Sequence, residues 1–416
     1  LLRMPGTPAS IMTTLDGYPM ARSGKPGRAL GLGITASFVG GCISWLFLIS
    51  LSAPIAKYST KLGPFDFFSL VLLALVLIAS IGGKSISRSF FSALLGVFAS
   101  LPGIDKATGN LRLTFGMEEL NGGLKLLPVL IGMFAISQII LDLCRIGETI
   151  TVIPVKRKRE MLFKVKDWKD QALNLIRSSV IGTWIGILPG IGANIGSVTA
   201  YSAAKSMATP EEKEQFGKGS EIGIVAAESA NNATIGGSLI PLISLGIPGS
   251  VIDAILLGGL LIHGLQPGPL LFQQNPEMVY TIMGSMIVAN VFMFFFMVFA
   301  VRYLARLASV PRSLLMPVIL VFCIVGSFAL STRMFDVWTM LFFGLLGFAF
   351  ERIKIPLAPF VIGFILAPIA EENLLMGLMA SNGSYLPIIQ RPVSLIFVVS
   401  SIVLLAIPLY KRYRSR

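Results

Sequence analysis

Charged residues are scarce in this sequence. Asp, Glu, Lys and Arg make up 13% of its 416 residues, whereas ordinary soluble domains carry about 25%. The single histidine, His263, cannot form a multi-histidine metal site within the chain. Cys42, Cys144 and Cys323 are scattered in or beside apolar segments, which favours small buried hydrophobes over a disulfide or metal set. These shortages exclude a water-soluble globular enzyme, a disordered chain and a coiled coil.

Hydrophobic residues, by contrast, make up 54% of the chain, and the mean hydropathy is +0.79. Uncharged runs that approach or span the bilayer core of about 30 Å cover residues 29–56, 67–83, 126–141, 178–204, 229–252, 254–262, 279–301, 313–331, 337–350, 356–370 and 393–410. We therefore predict an all-α, polytopic integral membrane protein. Short runs that contain Pro or Gly, such as 89–101 and 356–370, are predicted to be half-helices or hairpins.

The net charge of +13 reflects basic residues in the short gaps between apolar runs. This distribution indicates membrane topology rather than nucleic-acid binding, because Lys and Arg accumulate in cytoplasmic loops. We expect the basic segment 145–177 and the C-terminal tail, which ends in four basic residues among its last six, to be cytoplasmic.

Two pairs of segments indicate an internal repeat. Pro5-Gly6-Thr7 resembles Pro248-Gly249-Ser250, 243 residues later, and residues 128–132 resemble residues 359–363, 231 residues later. The loop after the first motif carries Arg22, Lys25 and Arg28, whereas residues 263–277 carry no Lys or Arg. Opposite loop charges predict opposite orientations, so we expect two inverted-topology repeats with discontinuous helices, as in many secondary transporters.

The repeat predicts a division into four segments. Residues 1–144 form the first repeat, 145–177 a cytoplasmic basic linker, 178–391 the second repeat, and 392–416 a final transmembrane helix with a basic cytoplasmic tail. The repeat partner of Pro189 would precede Leu1, so we expect the first repeat to be incomplete and roughly 55–80 N-terminal residues of a full-length protein to be missing.

Breaks at Pro189-Gly190 and Pro248-Gly249 predict discontinuous helices that meet near the membrane midplane. The N-terminus of a half-helix suits a carboxylate, and unwound carbonyls suit Na⁺ or a proton. Small hydroxyl residues in these regions either donate to such a ligand or serve as packing contacts between helices. The candidates are Thr7, Ser10, Ser197 and Ser250.

Glu228 lies in an otherwise apolar run, with Asn231 and Asn232 on the same helical face. A carboxylate in a membrane is costly and usually functional. We expect Glu228, Asn231 and Asn232 to couple transport to an ion gradient, with Na⁺ bound near Glu228 as one option and a proton as the other. The alternative is a structural acid. Asp16 and Asp253 flank the two Pro-Gly motifs, and both turn capping and coupling stay open for them.

The motif set resembles the large membrane subunit of tripartite tricarboxylate transporters, the TctA type. The resemblance lies in the Pro-Gly stretch 189–192, Tyr201, the Phe-Gly-Lys-Gly segment 216–219, and residues 228–232. It continues through residues 245–250 and 263–269, and includes residues 5–21 and 105–116. The resemblance does not identify individual ligands. Together with the candidate hydroxyl residues, it gives as substrate-binding motif positions Pro5, Gly6, Thr7, Ser10, Pro189, Gly190, Gly192, Asn194, Ser197, Pro248, Gly249 and Ser250.

The resemblance further implies a multi-pass permease of the prokaryotic inner membrane that imports citrate-like tricarboxylates or other small carboxylates. Its partners would be a small four-helix membrane subunit (TctB-like) and a periplasmic substrate-binding protein (TctC-like). A Na⁺ or H⁺ gradient would drive uptake without ATP or another cofactor. From the residues alone, the alternative is an ion channel or a secondary transporter of a different small anion. An enzyme is not expected, because no nucleophile–base pair or metal cluster stands out.

Overall fold

The computed structural model describes residues 10–81, 85–105, 108–144, 163–189, 192–307 and 312–414, and these are almost entirely helical. The helices are α1 (Ile11–Arg22), α2 (Pro26–Ser59), α3 (Pro64–Ile81), α4 (Ile86–Ser100), α5 (Leu126–Leu130), α6 (Ser137–Leu143), α7 (Val165–Ile187), α8 (Gly192–Met207), α9 (Pro210–Lys213), α10 (Glu221–Leu245), α11 (Val251–Ile262), α12 (Leu271–Gln274), α13 (Pro276–Leu307), α14 (Arg312–Ser331), α15 (Met334–Arg352), α16 (Leu357–Ala380), α17 (Pro387–Gln390) and α18 (Pro392–Arg414). The all-α prediction is confirmed.

The remaining regular structure is short. A π-helical turn, Ile131–Ile136, joins α5 to α6 without a break, and Glu118–Leu120 form a 3-10 turn. Strands β1 (Gly103–Ile104) and β2 (Leu111–Arg112) pair antiparallel, with Gly103 opposite Arg112. Several helices begin at proline, where the missing N–H costs nothing because the first turn of a helix has no internal acceptor for it.

Five helices in the described part of the chain are long and apolar enough to cross a membrane: Pro26–Ser59, Leu126–Leu143, Pro276–Val301, Met334–Arg352 and Leu357–Ala380. Five shorter apolar helices accompany them: Pro64–Ser80, Ile86–Ser100, Val251–Ile262, Leu314–Ala329 and Pro392–Ala406. A span of about 20 residues crosses the hydrocarbon core. The chain is therefore a multi-pass membrane protein.

One predicted half-helix is longer than expected. The apolar run 356–370 ends at Glu371, yet α16 continues through it to Ala380. The Glu371 carboxylate accepts hydrogen bonds from both terminal nitrogens of Arg112, one of them at 2.6 Å. The Nε of Arg112 in turn donates to the Leu101 carbonyl at 2.8 Å. Because the charge of Glu371 is paired with that of Arg112, α16 continues past Glu371.

The chain folds into two compact units. Unit 1 consists of Leu1–Lys57, Glu148–Gly249 and Gln266–Val310, and unit 2 consists of Tyr58–Gly147, Ser250–Leu265 and Pro311–Arg416. Each unit takes segments from both predicted repeats, so its boundaries differ from the four-segment division, which stays a prediction. Within the predicted linker 145–177, the described part becomes helical at Val165, where α7 begins.

Within unit 1, α2 and α13 pack antiparallel. Trp45 Nε1 donates to the Met283 carbonyl at 2.9 Å, and the rings of Phe38 and Phe294 lie 4.8 Å apart at the other side of the crossing. At the crossing itself, a Cβ added to Gly41 would lie 2.6 Å from the Asn290 side chain. Gly41 and Asn290 lie nearly the same number of residues after Pro26 and Pro276, the first residues of α2 and α13.

Within unit 2, two glycines of the second repeated segment pack against helices. A Cβ added to Gly132 of the π-helical turn would lie 2.3 Å from the Met340 carbonyl oxygen on α15. A Cβ added to Gly363 on α16 would lie 2.3 Å from the Ala93 carbonyl oxygen on α4. Each motif glycine therefore contacts a helix of the other predicted repeat, and the two-fold relation of the repeats stays a prediction.

Candidate functional site

Helices α7, α8 and α10 form the most closely packed part of unit 1. A Cβ added to Gly182 would lie 2.3 Å from the Ala230 carbonyl oxygen, and one added to Gly237 would lie 2.2 Å from that of Thr183. Between membrane helices, small residues allow such backbone contact and take the place of a hydrophobic driving force. The bundle therefore holds its functional side chains on a rigid backbone.

Both Pro-Gly breaks lie at one end of this bundle. Helix α7 ends at Ile187, Pro189 lies in the following turn, and α8 begins at Gly192, whose φ is +69°. Helix α10 ends at Leu245, and the next residue, Gly246, has a φ of +74° and donates its N–H to the Leu242 carbonyl at 3.0 Å. This is an αL cap, which glycine adopts without the strain of a Cβ.

The break after α10 packs against the last turn of α7. A Cβ added to Gly249 would lie 2.7 Å from Ser238 Cβ on α10 and 3.0 Å from the Gly186 carbonyl oxygen on α7. Ile247, Pro248 and Gly249 are all buried. Irregular backbone at membrane depth is tolerated only inside protein or beside a cavity, and this segment meets that condition.

The other predicted substrate positions divide into three groups. Pro5, Gly6, Thr7 and Gly190 lie outside the described residues, and Ser10 is the first described residue. Ser197 donates to the Ala227 carbonyl at 3.1 Å, so its hydroxyl serves packing. Asn194 is exposed near the start of α8. Their roles as substrate ligands stay predictions.

Ser250 caps α11. Its hydroxyl accepts from the Asp253 N–H at 3.3 Å and donates to the Asp253 carboxylate at 2.7 Å. Of the two roles left open for Asp253, the geometry therefore favours turn capping. As a result, the first turn of α11 already contains a negative charge.

Glu228 lies on α10, half-buried. Ser37 Oγ on α2 donates to its carboxylate at 3.0 Å, and the side chains of Thr13 and Asn231 also interact with it. Asn232 donates instead to the Glu228 backbone carbonyl, at 3.4 Å. Within the described ranges, no ion pair joins Glu228 to a lysine or arginine. The carboxylate therefore has polar neighbours without a cationic partner.

Thr13 and Ser37 are contacts of Glu228 that the sequence analysis missed. Ser37 belongs to a row of small residues on α2, with Gly33, Gly40 and Ser44 at helical spacing. A Cβ added to Gly40 would lie 2.1 Å from the Ser229 carbonyl oxygen, next to Glu228. This row of small residues predicts that another helix packs on α2, but it does not identify that helix as α10.

Asp16 is fully buried, and both of its carboxylate oxygens are hydrogen-bonded. Oδ1 accepts from the backbone N–H groups of Gly217, Gly219 and Ser220 at 2.7–2.9 Å, and Oδ2 accepts from the Tyr201 hydroxyl at 2.8 Å. Gly217 and Gly219 have φ values of +82° and +119°, which favour glycine and point the N–H groups inward. Asp16 therefore anchors α1 by accepting hydrogen bonds from the backbone of the Phe-Gly-Lys-Gly segment and of Ser220.

Asp16→Asn will destabilise the protein by roughly 1.5–3 kcal/mol, because hydrogen bonds to a charged acceptor are lost from a buried site. Thermal unfolding in detergent measures the change. The control is Asp170→Asn, an exposed aspartate on α7, which should change stability by less than about 0.5 kcal/mol. Equal melting temperatures for both variants would show that Asp16 does not anchor α1.

Arg28 joins the first turns of three helices. Its guanidinium donates to the Asp167 carboxylate at 2.6 and 2.8 Å and to the Glu221 carboxylate at 2.8 and 2.6 Å. Hydrogen bonds from Arg28 lower the pKa of the Asp167 carboxyl, which lies in the polar first turn of α7. A residue that the sequence marked only as a topology signal thus connects α2, α7 and α10.

The buried break at Pro248-Gly249, the glycine-packed helices and a carboxylate in an apolar helix, with no cationic partner among the described residues, define the class: a multi-pass membrane protein with discontinuous helices. The described residues contain no group of three or more His, Cys, Asp or Glu side chains that could hold a metal ion. The profile of the tripartite tricarboxylate transporter TctA family matches residues 1–362. The chain belongs to this family, whose members are transporter subunits.

Two proteins of Agrobacterium vitis are similar to this chain. One, described as an uncharacterised 52.8 kDa protein in the TAR-I ttuC' 3' region, is 30% identical over 416 residues, which cover all of this chain and 82% of the relative. The other, described as an uncharacterised protein in the TAR-II ttuC' 3' region, is 29% identical over 235 residues, covering 56% of this chain and 96% of the relative. No solved structure matches the chain.

Proposed function

We propose that this chain is the large permease subunit of a tripartite secondary transporter that imports small carboxylates, of which citrate-like tricarboxylates are the leading class. The observation that carries the proposal is the buried break after α10, where Gly249 packs on Ser238 and on Gly186 in the last turn of α7. Helix α8, the next helix after α7, has no acidic residue in its first turn. Its free N–H groups therefore suit a carboxylate.

The coupling step is assigned to Glu228, with Asn231 beside the carboxylate. An acid in an apolar helix, with no cationic partner among the described residues, is suited to exchange an ion during a transport cycle. The gradient would be one of Na⁺ or H⁺, and ATP would not be used. On this proposal the chain is a transporter and not an enzyme.

The proposed partners are a small four-helix membrane subunit, TctB-like, and a periplasmic substrate-binding protein, TctC-like. The family is tripartite by description, which supports two further components. The proposed location is the prokaryotic inner membrane, with the basic tail after α18 in the cytoplasm, in line with the positive-inside rule.

The test is radiolabelled uptake by proteoliposomes that contain all three components, with imposed Na⁺ and pH gradients and a panel of mono-, di- and tricarboxylates. Saturable, gradient-dependent uptake of a carboxylate that requires the binding protein would support the proposal. Downhill flux that does not saturate and ignores the binding protein would instead indicate an ion channel. Saturable uptake confined to another small anion would reassign the substrate.

A further inference from the structure

The surroundings of Glu228 contain a polar atom that lacks a partner. Thr13 Oγ1 on α1 is enclosed, and within the described residues it has no hydrogen-bond partner. Its side chain interacts with the Glu228 carboxylate without reaching hydrogen-bonding geometry. A buried hydroxyl without a partner destabilises the folded state, so an orphaned one in a native site calls for an explanation, such as an ion.

The neighbouring groups supply oxygen from three helices. Ser37 Oγ lies 3.0 Å from Glu228 Oε2, and Asn231 contributes an amide from the next turn of α10. Gly33 leaves room on the α2 side, because a Cβ added there would still lie 3.7 Å from Glu228 Cγ. The set therefore combines one carboxylate, two hydroxyls and one amide, which are hard oxygen ligands.

We infer that Thr13 and Ser37 complete a Na⁺ site with Glu228, so that the coupling ion is held jointly by α1, α2 and α10. This inference rests on the proposed coupling role of Glu228 and adds to it the ligands and the ion. A proton on Glu228 would give one O–H donor and could engage only one of these neighbouring oxygens. A cation between these groups uses that oxygen and neutralises the charge of Glu228.

The site has a consequence for α1. Thr13 lies one helical turn before Asp16, the residue that anchors α1 to the Gly217–Ser220 turn. An ion bound by Thr13 therefore adds a second attachment of the same helix to α10. Binding of Na⁺ stabilises α1 on the bundle, and release of Na⁺ leaves Asp16 as its main polar anchor.

The test compares Thr13→Val with Thr14→Val. Both remove one hydroxyl at constant shape, but the Thr14 hydroxyl only donates to the Ile11 carbonyl of its own helix. Thermal unfolding of the purified chain is measured in Na⁺ and in choline at equal ionic strength. We expect Na⁺ to raise the melting temperature of the wild type and of Thr14→Val, and to have no such effect on Thr13→Val. Thr13→Ser, which keeps the oxygen, should respond to Na⁺.

Uptake by the three-component system supplies the second measurement. The Na⁺ concentration for half-maximal uptake should rise about tenfold or more in Thr13→Val, a usual effect of weakening a metal site, and stay unchanged in Thr14→Val. An equal response of Thr13→Val and wild type to Na⁺ would overturn the inference. So would a wild type insensitive to Na⁺ whose uptake follows the pH gradient, although gradient-driven carboxylate import would then stand. Na⁺ stabilisation that needs Thr13, in a system that takes up no carboxylate, would support the site and overturn the proposed function.

Discussion

Glu228→Gln abolishes gradient-driven uptake while the protein still folds and inserts. Glutamine keeps the size of the side chain and its hydrogen bond with Ser37, which lies 3.0 Å from the carboxylate, but it cannot carry the charge that an ion or proton must neutralise. No lysine or arginine in the described ranges is left unpaired by the change, so stability should not fall. Proteoliposome uptake measures activity, and detergent size-exclusion and thermal unfolding measure the fold.

Glu214→Gln is the matched control, because this glutamate is exposed just after α9. Its uptake rate should equal that of the wild type. Uptake by Glu228→Gln at the wild-type rate would make Glu228 a structural acid. Downhill exchange of substrate across the membrane adds a finer comparison: a variant that has lost only coupling should still exchange substrate.

Gly237→Ala is expected to cause a large loss of stability in unit 1. The new Cβ would lie 2.2 Å from the Thr183 carbonyl oxygen and 2.9 Å from its carbon, so the backbones of α7 and α10 must separate. Overpacking of a rigid core costs roughly 1–3 kcal/mol and occasionally more. Helix separation would also disturb the Pro-Gly breaks nearby, so uptake should fall together with the melting temperature.

Gly284→Ala on α13 provides the comparison, since a Cβ added there meets nothing within 4 Å. Alanine is the better helix former by roughly 0.5–1 kcal/mol, so this variant should be as stable as the wild type or more so. If Gly237→Ala melts at the same temperature as Gly284→Ala, α7 and α10 do not pack as closely as described.

The sequence predicted the parts of this fold that depend on local composition. The long uncharged runs became spanning helices, and Pro189 and Pro248 marked the places where helices end, because proline and glycine act on the backbone near them. The burial of Asp16 was not predictable in this way. Its four partners lie about 185–204 residues away, and no local pattern encodes which distant N–H groups a carboxylate will meet.

The same limit applied to the candidate site. Glu228 stood out because it is an acid in an apolar run, but its neighbours Thr13 and Ser37 belong to α1 and α2, and ordinary hydroxyl residues are frequent in membrane helices. Likewise, the pairing of Glu371 with Arg112 joins residues 259 positions apart. A charge at the end of an apolar run therefore predicted the end of a helix that in fact continues.

The crossing of α2 and α13 has a consequence for synthesis in the cell. Gly41 and Asn290 are 249 residues apart in the chain, and at about 5–20 residues per second the ribosome needs on the order of 10–50 s to make the second after the first. For most of that interval the small-residue face of α2, including Gly40 and Gly41, lacks α10, and for all of it α13 is incomplete. A nascent chain at this stage would be a natural client of insertion machinery or membrane chaperones, which makes translation rate a determinant of yield for this protein.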